Sequence, residues 1–86
     1  MRTVTIYSKD YCPYCTRAKN LLKQKGVSDF IEIDISNNET LQQEMITKTG
    51  GRRSVPQIFV GDTYIGDCDG IYALEKAGKL SDLLVK

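Results

Sequence analysis

The chain has no histidine and only three cysteines, Cys12, Cys15 and Cys68. A structural zinc site takes four ligands, drawn mostly from these two residue types. Three thiols and no imidazole leave such a site incomplete within one chain, so no metal is expected. An excess of one charge is also missing. Twelve Lys and Arg against eleven Asp and Glu leave a net charge of +1, which gives no argument for a nucleic-acid or membrane partner. No apolar run approaches the roughly 18 residues of a membrane span. Met1-Arg2-Thr3 leads straight into a strand pattern instead of a secretory h-region. A cytoplasmic, reducing location is the expectation, although an organellar form freed of its targeting peptide would read the same. Linkers, internal repeats and low-complexity segments are lacking too. Eighty-six residues of ordinary composition, 41% hydrophobic and 27% charged, predict one domain over 1–86 with its own core.

What is present is organised around Tyr11-Cys12-Pro13-Tyr14-Cys15. The run Val4-Thr5-Ile6-Tyr7 before it reads as a strand, and Thr16 to Lys25 after it reads as a helix. Cys12 therefore sits near a helix N-terminus. The first N–H groups of a helix have no intrahelical partner and the macrodipole is positive there, so a thiolate is stabilised. Pro13 suits the first turn, where its missing N–H loses no bond. Residues three apart share a helix face, so Cys15 can reach the sulfur of Cys12 and displace what is attached to it. The alternative is a purely structural disulfide, but it would close too short a loop to stabilise much. In a reducing compartment, CxxC beside a βαβ pattern points to redox chemistry.

Lys9 lies three residues before Cys12. It can meet an anionic ligand or favour the thiolate, or it is a solvated loop lysine. The helix carries Cys15, Ala18, Leu21 and Leu22 on one face, with Arg17, Lys19, Lys23 and Lys25 mostly solvated, and Gly26 fits its C′ position. Residues 30–35 read as a second strand, giving a parallel βαβ unit. Ser36-Asn37-Asn38-Glu39 fits a capping box, with a helix on Leu41, Met45 and Ile46 to follow. Gly50 and Gly51 end it, and Arg52 and Arg53 add positive charge to the loop. Residues 54–60 and 63–65 read as a hairpin across Gly61-Asp62. Asp69 is the expected N-cap of a third helix on Ile71, Leu74 and Ala77, stopped by Gly78. Leu80, Leu83 and Leu84 make a short last helix. The order is β-α-β-α-β-β-α-α. An α/β fold satisfies it, a four-stranded mixed sheet with helices on both faces.

Three segments in this order resemble the glutaredoxin family, and the likeness covers essentially the whole chain. Lys9-x-x-Cys12-Pro13-Tyr14-Cys15 is similar to the dithiol active site, and unlike the CGPC usual in thioredoxins. Ser54-Val55-Pro56 resembles the family's Thr-Val-Pro, whose proline is cis. Gly66-Asp67-Cys68-Asp69-Gly70 resembles its second glutathione-binding turn. The resemblance implies a thioredoxin fold and glutathione as co-substrate. It implies that Cys12 carries the mixed disulfide, with Tyr14 beside the tripeptide. The Ser54-Val55-Pro56 segment would receive the cysteinyl part, the Val55 backbone pairing with it in strand fashion. Lys9, Gln43 and Arg52 or Arg53 would meet the glycyl carboxylate. The backbone N–H groups of Cys68 and Asp69 would hold the γ-glutamyl carboxylate, and a helix N-terminus there gives that role a physical reason. Two positions depart from the family pattern. Asp67 stands where a second Gly is usual. Gly70 stands where many members carry an Asp that meets the γ-glutamyl amino group, and Asp69 or Asp67 would have to substitute.

The activity implied is reduction of glutathione mixed disulfides and protein disulfides, with Cys12 as nucleophile and Cys15 as resolving thiol. The implied partners are glutathione, glutathionylated or disulfide-bearing proteins and, through oxidised glutathione, glutathione reductase. A monomer is expected. Cys68 reads as a small, partly buried residue, or else as a regulatory or dimer-forming thiol. Two other readings stand beside this one. Some family members hold a [2Fe–2S] cluster between two chains through the first cysteine and glutathione, which a Pro after that cysteine disfavours. A thioredoxin-like reductase recycled by a flavoprotein is the other, and Lys9 and the 66–70 turn argue against it.

Overall fold

The computed structural model describes residues 3–85. β1 (Val4–Ser8) puts Val4 and Ile6 on one face and Thr5 and Tyr7 on the other, the period-two alternation of a pleated strand. It is followed by α1 (Pro13–Gln24), β2 (Phe30–Asp34), α2 (Glu39–Lys48), β3 (Gln57–Val60), β4 (Thr63–Gly66), α3 (Cys68–Lys76) and α4 (Leu80–Val85). The strands form one sheet in the order β2-β1-β3-β4. β1 runs parallel to β2, with Val4 opposite Phe30, and antiparallel to β3, with Val4 opposite Val60. β3 and β4 form the expected antiparallel hairpin. Gly61 takes φ 58° in its turn, the left-handed conformation that a tight hairpin needs.

Both faces of the sheet are covered. Val4, Ile6, Ile58 and Val60 pack against Ala18 and Leu22 of α1, Ile71 of α3, and Leu80 and Leu84 of α4. Tyr7 and Phe59, on the opposite face, pack with Ile35 and with Met45 of α2. β1 and β3 are the central strands, and all four residues of β3 are buried. The sheet thereby carries its connections to one end, where the loop after β1, the loop before β3 and the start of α3 come together.

Helix termini are where the structure departs from the sequence reading. α1 begins at Pro13, not Thr16, because Cys12 itself is the N-cap. Its other end closes as expected. Gly26 at φ 89° lets its own N–H reach the Lys23 carbonyl at 3.0 Å and the Val27 N–H reach that of Leu22 at 2.9 Å, a Schellman arrangement. Ser36 does not cap α2. The cap is Asn38, whose Oδ1 accepts from the Leu41 N–H at 3.0 Å. The Ser36 hydroxyl instead accepts from the Asp10 N–H at 2.9 Å, tying α2's approach to the loop before Cys12. Asp69 does not cap α3. Asp67 does, accepting from the Gly70 N–H at 2.8 Å. Ala77, placed on the buried stripe by periodicity, is exposed at the C-cap. Lys19 and Lys25 are not simply solvated: they pair with Glu32 and Glu75, each at 3.0 Å.

Candidate active site

Pro13 at the first helical position forces the chain to enter α1 from the extended conformation of Cys12, φ −148° and ψ 96°. That entry turns the Cys12 sulfur back over the first turn, where the Cys15 N–H donates to it at 3.1 Å. An anion at this position would receive the same hydrogen bond, together with the positive end of the helix. Cys12 and Cys15 are joined by a disulfide, with Cα atoms 5.1 Å apart. Their exposures differ. Cys15 is 2% exposed and belongs to the buried face of α1, whereas Cys12 is only half-buried. Cys12 is therefore the more accessible of the two sulfurs, and Cys15 lies beneath it.

The Cys12 sulfur lies 3.9 Å from the Val55 carbonyl oxygen. Val55 precedes Pro56 across a cis peptide bond. Beside it opens a pocket of about 300 Å³ whose walls are Tyr14 from α1, Ser54, Val55 and Pro56, and Asp67, Cys68 and Asp69 at the start of α3. Six residues expected at the site from sequence are thus brought together in one cavity. The Asp67 carboxylate is engaged as the cap, which leaves the N–H groups of Cys68 and Asp69 at the open end of α3. Burial pushes the Cys68 thiol pKa up, and the charges of Asp69 and Asp67 add to this against the opposing charge of Arg17. At 3% exposure, Cys68 is a wall of the pocket and a poor nucleophile at neutral pH.

The remaining expected residues lie outside this cavity. Lys9 lines an adjacent depression with Asp10, Tyr11, Ser36, Asn37 and Gln42. Gln43 is turned to another surface, a groove with Glu39, Thr40 and Thr47. The glutamine beside Lys9 is Gln42, whose side-chain amide also donates to the Ile35 carbonyl at 3.1 Å. The signal for it was its position three residues before the buried Met45, which puts both on the inward side of α2. Arg52 and Arg53 are exposed on the loop that leads to Ser54. A further depression of about 380 Å³, lined by Thr5, Tyr7, Ile31 and Ile33 among others, lies on the α2 face of the sheet and shares no residue with the disulfide site.

A half-buried sulfur at a helix N-terminus, a buried second thiol one turn on, and a cis-proline segment facing them define a dithiol redox protein of thioredoxin-like fold. Comparison with known proteins narrows the class. The glutaredoxin family model matches residues 4–65. Glutaredoxin 3 of Escherichia coli is 52% identical over 84 residues, covering 98% of this chain and 99% of that protein. The solution structure of a Brucella melitensis glutaredoxin superposes with a TM-score of 0.83 at 50% identity, over 98% of this chain and 89% of that one. A buckwheat glutaredoxin–glutathione complex superposes with a TM-score of 0.84 at 33% identity, over 94% and 74% of the two chains. The chain belongs to the glutaredoxin family, and within it is a dithiol glutaredoxin, a glutathione-dependent thiol–disulfide oxidoreductase.

Proposed function

We propose that the pocket beside Cys12 receives the glutathionyl half of a mixed disulfide, and that the enzyme removes glutathione from glutathionylated proteins and reduces protein disulfides. The observation that carries this is the Cys12 sulfur 3.9 Å from the carbonyl oxygen of Val55, a wall residue of a cavity that has the Ser54–Pro56 backbone on one side and a helix N-terminus on the other. The cysteinyl part of glutathione lies along Val55 in strand fashion. Its γ-glutamyl carboxylate meets the N–H groups of Cys68 and Asp69. Asp69 is the carboxylate left to meet the γ-glutamyl ammonium, since Asp67 is held by the Gly70 N–H. The glycyl carboxylate extends towards Lys9, with Gln42 in the place first given to Gln43, and Arg52 or Arg53 nearby. Binding of glutathione in the buckwheat relative supports glutathione as the ligand.

The cycle begins with the Cys12 thiolate attacking the glutathione sulfur of the mixed disulfide. The protein thiolate leaves and takes up a proton, and glutathione remains bonded to Cys12. A second glutathione thiolate attacks the sulfur of that bound glutathione. Cys12 departs as thiolate and oxidised glutathione is released, to be returned to its reduced form by glutathione reductase. For a protein disulfide, Cys12 first forms a mixed disulfide with the protein. Cys15 then attacks the Cys12 sulfur and expels the second protein thiolate, leaving the Cys12–Cys15 bond for two glutathiones to reduce. A depressed thiol pKa raises the thiolate fraction but lowers nucleophilicity with a Brønsted slope of about 0.4–0.5, so attack itself gains little. The gain is in departure, because a low-pKa thiol is the better leaving group.

The enzyme acts as a cytoplasmic monomer of one domain. Among the described residues no helix is long and apolar enough to cross a membrane. The test is glutathione-dependent reduction of a small glutathione mixed disulfide by wild type, Cys12→Ser and Cys15→Ser. Loss in Cys12→Ser alone is expected. An active Cys12→Ser variant would overturn the assignment of the nucleophile. Loss in both variants would make Cys15 obligatory and replace the monothiol route with the dithiol one.

A further inference from the structure

Tyr14 has two surroundings at once. One is the pocket, of which its ring forms a wall. The other is solvent, since the residue is 55% exposed. A tyrosine this open would ordinarily sample several rotamers. Its ring is nevertheless part of a stack. The Arg17 guanidinium carbon lies 5.9 Å from the Tyr14 ring centroid and 5.4 Å from that of Tyr72. Tyr14 and Arg17 are three apart on α1 and share a face. Tyr72 comes from α3, one turn beyond Cys68 and Asp69, which form the pocket's opposite wall. Its hydroxyl also reaches the Arg17 carbonyl oxygen at 3.4 Å. The two helices that wall the pocket are therefore joined, just behind it, by a guanidinium lying against two aromatic rings.

We propose that Arg17 and Tyr72 are positioning residues, whose stack holds the Tyr14 ring and so sets the width of the glutathione pocket. This rests on the reading of that pocket given above. Neither residue lines the cavity. Both act through Tyr14, by fixing it before the ligand arrives, and ordering a wall in advance lowers the cost of binding. The chemical step at Cys12 does not involve them. Their loss accordingly appears in KM for the glutathione mixed disulfide and leaves kcat nearly unchanged. Arginine suits the place better than lysine, because its planar, weakly hydrated group stacks against aromatic faces.

The experiment compares KM and kcat for a small glutathione mixed disulfide in wild type, Arg17→Gln, Arg17→Lys, Tyr72→Leu and Tyr72→Phe, with a thermal melt of each. Tyr72→Leu is expected to raise KM about two- to fivefold, the effect of losing one exposed cation–π contact, and Arg17→Gln, which loses both, to raise it at least as much. Tyr72→Phe keeps the ring and is expected to keep KM. Arg17→Lys is expected to fall between wild type and Arg17→Gln. The deciding arm repeats Tyr72→Leu in a Tyr14→Ala background, where it should no longer change KM. A merely structural α1–α3 contact would lower the melting temperature and leave KM alone, which overturns the proposal. So does a KM effect of Tyr72→Leu that persists without Tyr14. Should Tyr72→Leu fail to fold, Arg17→Gln carries the same pair of comparisons. An inactive wild type would overturn the glutathione reading and this proposal together. An active wild type with unchanged KM in the variants overturns only the proposal.

Discussion

Tyr64 and Gln57 share a hydrogen bond of 2.5 Å, from the tyrosine hydroxyl to the glutamine Oε1. Gln57 has no exposed surface. Its Nε2 donates to the Ser54 carbonyl at 2.9 Å, so the amide is satisfied at both ends. One buried side chain thus links β4 to the segment that faces the disulfide. Gln57→Met keeps the volume and removes both bonds. The expected loss is about 1–3 kcal/mol of stability, because the Ser54 carbonyl and the Tyr64 hydroxyl lose their partner. It is read as a lower urea midpoint with an unchanged slope. A lower kcat/KM should accompany it, since Ser54 and Val55 line the pocket. Full retention of both would show that the segment is held without Gln57.

Asp67 and Asp69 are two residues apart, and only Asp67 is engaged as a helix cap, while the proposed ligand role falls to Asp69. Asp67 caps α3. Asp67→Ala is expected to cost about 0.5–2 kcal/mol, the usual effect of losing an N-cap. Asp69→Asn is expected to leave stability within about 0.5 kcal/mol, as exposed substitutions do. If Asp69 meets the γ-glutamyl ammonium as proposed, Asp69→Asn should instead raise KM for a glutathione mixed disulfide. Reversal of the two effects would return the ligand role to Asp67. The cap also bears on Gly70, since a Cβ there would sit 3.2 Å from the Asp67 Oδ1. A side chain at 70 would therefore require the Asp67 carboxylate to give by a few tenths of an ångström.

These residues show which interactions a sequence displays and which it hides. Cys12, Pro13 and Cys15 were legible because their geometry is local: a proline fixes the helix start, and a spacing of three fixes the shared face. The first strand was legible as a short apolar run from Val4 to Tyr7, and the second from the alternation in its latter half. Ser36 misled because its hydroxyl bonds the Asp10 N–H, 26 residues away. Asn38 could then take the cap, and no local pattern announces that exchange. Gln43 was taken from the family resemblance, and the inward position of Gln42 was hard to see because α2 buries only Met45 completely, so its inward face is weakly marked. Tyr14 and Arg17 are visibly three apart, but Tyr72 joins them only once α3 packs on α1. Gln57 read as an ordinary strand residue, since neither Ser54 nor Tyr64 identifies itself as its partner in advance.

Glu32 sets the expected behaviour in acid. Its pKa is lowered, first by the hydrogen bond from the Ser8 hydroxyl and then by that from Lys19. A carboxyl with a depressed folded-state pKa favours folding when ionised. That contribution is fully present above the ordinary glutamate value and is lost as pH falls through the folded one. Glu32→Gln should therefore flatten the acid side of a plot of urea stability against pH, with little change near pH 7 to the slope of that plot. A wild-type acid limb that is unaltered by the substitution would remove Glu32 from the account. Salt should weaken the effect, since the Lys19 pair is partly exposed.

Tyr7 gives the corresponding expectation in alkali. Its pKa is pushed up to about 12, foremost by burial and then by the hydrogen bond and charge of Glu44. The hydroxyl donates to the Glu44 Oε2 at 2.8 Å. The ring sits at 1% exposure, edge-on to Phe59 with centroids 5.8 Å apart. Here the folded state holds its proton longer than the unfolded chain does, so the sign is reversed. The stabilisation is complete below a pH of about 10, the free tyrosine value, and declines as pH rises from there towards 12. Tyr7→Phe should make stability flatter across that interval and delete the last step of a tyrosinate absorbance titration. Glu44→Gln should shift the step only part of the way down, because burial is the larger cause and remains. If Glu44→Gln returned Tyr7 to the ordinary range, the carboxylate and not burial would control this group, and the α2 face of the sheet would be more open to water than its packing indicates.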